Sequence, residues 1–97
     1  MLVVMADTTT SPLQRYRVTD LNREDRSIAL RDGAGVFHAA RSTGDMPELG
    51  DTLEGRPACL GSAILTGRGE QAFTVIFDLV DVARQDAWDR LHAPLTP

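Results

Sequence analysis

Residues Gln71 to Ala83, QAFTVIFDLVDVA, form the most apolar run in the chain and constrain it more than any other stretch. Phe73, Thr74, Val75, Ile76, Phe77, Val80 and Val82 are aromatic or β-branched, and such side chains fit a pleated surface better than a helix. At period two, Phe73, Val75, Phe77 and Leu79 share one face while Thr74, Ile76, Asp78 and Val80 share the other. A strand apolar on both faces at its centre is covered on both sides or closed into a small barrel. The run is therefore expected to be the central strand.

With 97 residues the chain makes one domain, because a chain this short buries roughly 60–70% of its unfolded surface and cannot support two cores. Apolar residues at 42% and charged residues at 25% exclude wholesale disorder. All ten basic residues are arginine, a pattern that reads as codon bias before it reads as ligand binding. One cysteine, Cys59, cannot form an internal disulfide, which points to a reducing compartment.

The start, MLVVMADTTTSPL, has an apolar run too short for a secretory signal and no basic residue before it. No later stretch reaches the roughly 18 apolar residues of a membrane span. A cytoplasmic protein is expected, with Met5 as an alternative start to Met1. Residues 1–12 are Thr- and Ser-rich, end in proline and read as a disordered tail; 13–93 form the domain, and 94–97 a second tail.

Along the domain, LQRYRVTDL (Leu13 to Leu21) alternates as a half-buried strand with Tyr16 and Val18 inward. After the turn NREDR, Ser27 to Asp32 gives a second strand with Ile28 and Leu30 inward. Asp32-Gly33-Ala34-Gly35 is a strong hairpin signal, since tight antiparallel turns need positive φ. A third strand, Val36 to Arg41, completes a meander. The loop Ser42 to Asp51 has Met46 and Leu49 to plug an open barrel end. Thr52 to Pro57, broken by Gly55 and Pro57, suits an edge strand. Ala58 to Leu65 reads as another strand, with Gly61 marking a bulge or a close approach of another backbone. Thr66 to Glu70 turns the chain into the central strand. In RQDAWDRLH (Arg84 to His92), Ala87, Trp88 and Leu91 lie at helical spacing, with an Asp86 to Arg90 ion pair and Trp88 packed on the barrel.

These elements predict an all-β domain: an antiparallel five- to six-stranded barrel with one short C-terminal helix. The layout is similar to an OB-fold whose helix after strand three has shrunk to a loop. The likeness is one of layout and carries no function with it.

No catalytic set emerges. Cys59 in an apolar strand reads as a small core residue, His38 as a surface or half-buried strand residue, and His92 as a cation at the negative pole of the helix. His38, Cys59 and His92 lack the spacing of a closed zinc site. Asp78, Asp81, Asp86 and Asp89 read as a solvated acidic face. No phosphate loop is present in Thr66 to Glu70. The chain is therefore expected to be non-enzymatic, with no cofactor and no metal.

Charge is unevenly spread. From Leu13 to Arg41, six arginines face four acids (net +2); from Ser42 onward, four arginines face nine acids (net −5). An OB-like barrel of this kind could bind single-stranded nucleic acid through Arg15, Arg17, Arg31 and Arg41, with Phe37 as a stacking platform. A pI near 4.9 weighs against it, since such binding draws on clustered cations. The favoured expectation is a protein-interaction module, contacting its partner through an edge strand or through Asp86, Trp88 and Asp89 on the helix, with self-association through the edge as a variant.

Overall fold

The computed structural model describes residues 13–92, so the expected tails at 1–12 and 94–97 lie outside the described residues. The described residues form six strands: β1 (Gln14–Asn22), β2 (Ser27–Asp32), β3 (Phe37–Ser42), β4 (Thr52–Gly55), β5 (Gly61–Thr66) and β6 (Ala72–Val82). A 3-10 turn (Arg68–Glu70) joins β5 to β6, and an α-helix, α1 (Arg84–His92), follows β6. Every pairing is antiparallel, and the order β1-β2-β3-β6-β5-β4 closes on itself through β4 and β1. The protein is thus the small all-β, OB-like barrel that its strand pattern predicts.

The hairpins form for the local reasons the residues supply. Asp32 Oδ1 accepts the backbone N–H of Ala34 at 2.9 Å and of Val36 at 3.1 Å, and Gly35 takes φ +85° to close the β2–β3 turn. Asn22 Oδ1 caps the β1–β2 turn by accepting from Glu24 and Asp25. Register breaks in β1–β2 at Thr19 and in β3–β6 around His38 and Ala39. In β5–β6 it runs unbroken from Gly61↔Phe77 to Thr66↔Ala72, so Gly61 is no bulge; its φ of +110° marks where the chain turns into β5.

Two packed clusters result. Tyr16, Val18, Ile28, Leu30, Leu53, Leu65, Phe73, Val75 and Phe77 fill the barrel. Ala29 and Ala39 face outward, where Ala87 and Leu91 of α1 cover them, so β2 is buried on both faces rather than one. Small side chains there let the helix lie close to the sheet.

Several expectations are corrected. Met46 does pack against the core, but Leu49 is 63% exposed and the buried partner in that loop is Pro47. Backbone bonds Val18 N–H to Asp51 O and Gly50 N–H to Val18 O hold the loop to β1, and this leaves Leu49 outside. The strand expected from Ala58 begins only at Gly61, because residues 56–60 cross the barrel end as a loop, tied by the Tyr16 hydroxyl donating to Arg56 O at 2.7 Å. Cys59 is consequently exposed, not a core residue. The presumed edge strand Thr52 to Pro57 shrinks to β4, which has a partner on each side: four residue pairs with β1 but one, Glu54↔Thr66, with β5.

Candidate functional site

His38 is buried at 1% exposure, as Ser27 and Ser42 are, where the strand pattern predicts a surface or half-buried position. It sits at the break in the β3–β6 ladder. There its Nδ1 accepts the backbone N–H of Asp81 at 3.1 Å, replacing the carbonyl that a regular ladder would have supplied. Nδ1 being an acceptor, the ring proton is on Nε2, which donates to Asp32 Oδ2 at 2.9 Å. Tyr16 and Phe77 meet the ring edge-on at centroid distances of 5.8 and 6.1 Å. Burial pushes Asp32 up, but the bonds from His38, Val36 and Ala34 outweigh it and hold the carboxyl below its ordinary range.

Asp32, His38 and Asp81 bring one potential ligand atom each within 4.8 Å of one another, and Asp81 sits at φ +59°. This convergence is invisible in their spacing along the chain. Both imidazole nitrogens are already engaged, however, and the ring is sealed from solvent. A cation or substrate proton would have to displace a bond that holds two strands and a turn together. The arrangement is that of a structural histidine.

The helix residues proposed for partner binding are on the surface: Asp86, Trp88 and Asp89 are all exposed, Trp88 by 43%. Trp88 packs on His92 at 4.2 Å between ring centroids instead of on the barrel, where Ala87 and Leu91 occupy the buried face. The predicted Asp86–Arg90 pair is not formed. Arg90 reaches Asp78 at 2.6 Å and Asp25 at 3.2 Å, while Asp89 accepts from Gln85. Asp78, Asp81, Asp86 and Asp89 are all exposed, with Asp78 bonded to Arg90 and Asp81 beside His38.

The arginines split into two kinds. Arg15 pairs with Glu54 at 3.3 Å and Arg41 with Asp25 at 3.5 Å. Arg17 and Arg31 lie opposite each other across β1–β2, both exposed, and Phe37 is next in the row on β3. Phe37 is half-buried and packs under α1, which removes the stacking face expected of it.

One surface escapes the sequence reading. On the outside of β5 and β6, Ile64 is 63% and Ile76 41% exposed, and Leu60 in the preceding loop is 67% exposed. Leu60 and Ile64 line an apolar trough of about 590 Å³, together with Arg56, Pro57, Cys59 and Ala63, among others. The trough lies where β4 and β5 share a single residue pair, so most of β5 carries no ladder partner on that side among the described residues. The signal was present in the two-sided apolarity of β6: its outer face implies a cover, and closure of the barrel supplies none.

No described helix is long and apolar enough to cross a membrane. No family model, curated protein or solved structure matches the chain.

Proposed function

We propose that the domain is a non-catalytic protein-interaction module whose docking face is the outer side of β5 with Leu60, Ile64 and Ile76. The observation that carries this reading is an exposed apolar strip beside a strand whose second side is almost unpaired among the described residues. Exposed apolar patches rimmed by polar groups mark contact sites, and an open strand side recruits an extended peptide by main-chain bonds. The fitting partner is therefore a protein offering an extended, apolar segment. Exposed Asp86, Trp88 and Asp89 form a second, smaller contact on α1.

A non-enzymatic role is supported by the engaged state of His38 and by the trough, whose lining includes Cys59 but neither histidine nor carboxylate. A reducing, cytoplasmic setting fits the free Cys59 thiol. The test is capture of host proteins by the wild type and by Leu60→Asp/Ile64→Asp, which changes only exposed positions. Loss of specific proteins in the variant supports the reading; identical captured sets overturn it.

Single-stranded nucleic acid is the second reading, favoured by the Arg17–Arg31 pair alone, since Arg15 and Arg41 are neutralised by acids. Two free guanidiniums give few phosphate contacts. Oligonucleotide retention at low salt that disappears in Arg17→Glu/Arg31→Glu would place this reading first.

A further inference from the structure

The trough beside β5 has a chemical preference built into its lining. We propose that its ligand is an extended peptide in which a carboxylate side chain meets Arg56 and an apolar side chain two residues along meets Leu60 and Ile64. This rests on the reading of β5 as a docking face and names what the partner's segment must carry.

Three observations carry it. Among the eight residues that line the trough, Arg56 bears the one charge and the rest are uncharged. A cavity with one cation, no acid and apolar walls is complementary to a single negative charge on an apolar body. Arg56 is exposed, and unlike Arg15, Arg23, Arg41 and Arg90 it enters no ion pair among the described residues. The place of that charge is also set. The Tyr16 hydroxyl donates to Arg56 O at 2.7 Å, which ties the backbone of Arg56 to the core. Its neighbour Gly55 stands against Ile64, since a Cβ there would fall 3.2 Å from Ile64 O. Arg56 therefore marks the Ile64 end of the trough, and Leu60 the end where the chain enters β5. An extended strand covers about 10 Å from Ile64 back to Gly61, room for an acid and an apolar side chain about 7 Å along on the same face. Finally, β4 and β5 share only the pair Glu54↔Thr66, so Gly61 to Ala63 carry no ladder partner on this side among the described residues. Main-chain bonds there hold the segment extended, and the side chains select which segment binds.

Cys59 lines the same trough and reports on its occupancy. The experiment measures alkylation of Cys59 in the folded protein by iodoacetamide, an uncharged reagent. The probes are a capped Thr-Val-Thr-Glu-Thr peptide at millimolar concentration and the same peptide with lysine in place of glutamate. Each rate is divided by that of the same protein without peptide, so any effect of a substitution on the thiol itself cancels. At the concentration where the glutamate peptide halves the wild-type rate, the lysine peptide, bound about fivefold more weakly, should slow it by about a sixth. In Arg56→Glu, a change at an exposed position, the two peptides should exchange places. Equal protection by both peptides, protection by neither, or an order that Arg56→Glu leaves unchanged would overturn the proposal. If it falls in any of these ways while Leu60→Asp/Ile64→Asp still loses captured proteins, the docking face stands and only its preference for an acidic segment is lost.

Discussion

His38 Nε2 donates to Asp32 Oδ2 across 2.9 Å, joining the middle of β3 to the turn residue that ends β2. The same Asp32 uses its other oxygen to accept from Ala34 and Val36, and the same ring accepts from Asp81 N–H of β6. One buried side chain therefore links a hairpin turn to the irregular part of the β3–β6 ladder. This network has little to offer chemistry and much to offer register.

Removing the imidazole leaves the Asp81 N–H and an Asp32 oxygen without their partner and opens a void beside Tyr16 and Phe77. His38→Ala is expected to lose about 2–4 kcal/mol of stability. His38→Asn keeps an acceptor near the Nδ1 position and should lose less. Urea unfolding followed by circular dichroism measures both; a loss below about 1 kcal/mol in His38→Ala would mean the network is ornamental.

Stability should be lost at both ends of the pH scale, for identifiable groups. Asp25 is held below the ordinary carboxylate range by the Ser27 hydroxyl first, then by Arg90 and Arg41, against the upward push of burial. Asp32 is likewise held low. Groups with depressed folded values stabilise above their unfolded value, about 3.9, and that contribution disappears as pH falls through the lower folded values. Tyr16 runs the other way: burial, then the charge of Asp32, raises it from 10.0 to about 12. Its contribution is complete below pH 10 and lost as pH rises toward 12. Thermal melts should show a plateau between about pH 5 and 9 with falls on either side. Asp25→Asn should flatten the acid limb and Tyr16→Phe the alkaline one.

What could be read from the chain follows how local its physics is. Asp32-Gly33-Ala34-Gly35 declares its turn because the side chain, the glycine and the bonds they make lie within five residues. The alternation of Phe73, Val75 and Phe77 declares an inward face for the same reason. Partnerships set by closure of the barrel do not show. Cys59 looks like a core residue until Tyr16 ties residue 56 across the barrel end and leaves the loop outside. His38 looks like a surface residue until the β3–β6 break supplies a backbone donor to its ring. The trough needs the whole strand order, since it exists only because β4 is too short to cover β5.

The helix carries a prediction that separates local from long-range pairing. Spacing pairs Arg90 with Asp86, but the guanidinium lies between Asp78 of β6 and Asp25 of the β1–β2 turn, with its side chain 27% exposed. Arg90→Ala should cost about 1–2 kcal/mol, as for a partly buried charge with two partners, and Asp86→Ala less than about 0.5 kcal/mol. Chemical denaturation of the two variants side by side measures the difference. Equal losses would return Arg90 to its helical neighbour.

Gly55 tests how tightly the β4–β5 seam is packed. A methyl group there would meet Leu65 Cδ2 at 2.5 Å and Ile64 O at 3.2 Å. The leucine end can rotate away, but the carbonyl belongs to the β5 backbone and can yield only if the strands separate. Gly55→Ala is therefore expected to lose about 1–3 kcal/mol, as overpacked sites do. Gly33→Ala is the matched control, because a methyl there meets nothing within 4 Å and the backbone is not in the left-handed region. It should be neutral or gain up to about 1 kcal/mol by restricting the unfolded chain. Urea midpoints of the two variants decide the matter: if Gly55→Ala unfolds with Gly33→Ala, the seam is loose, and β4 and β5 can part to admit a wider ligand than a single strand.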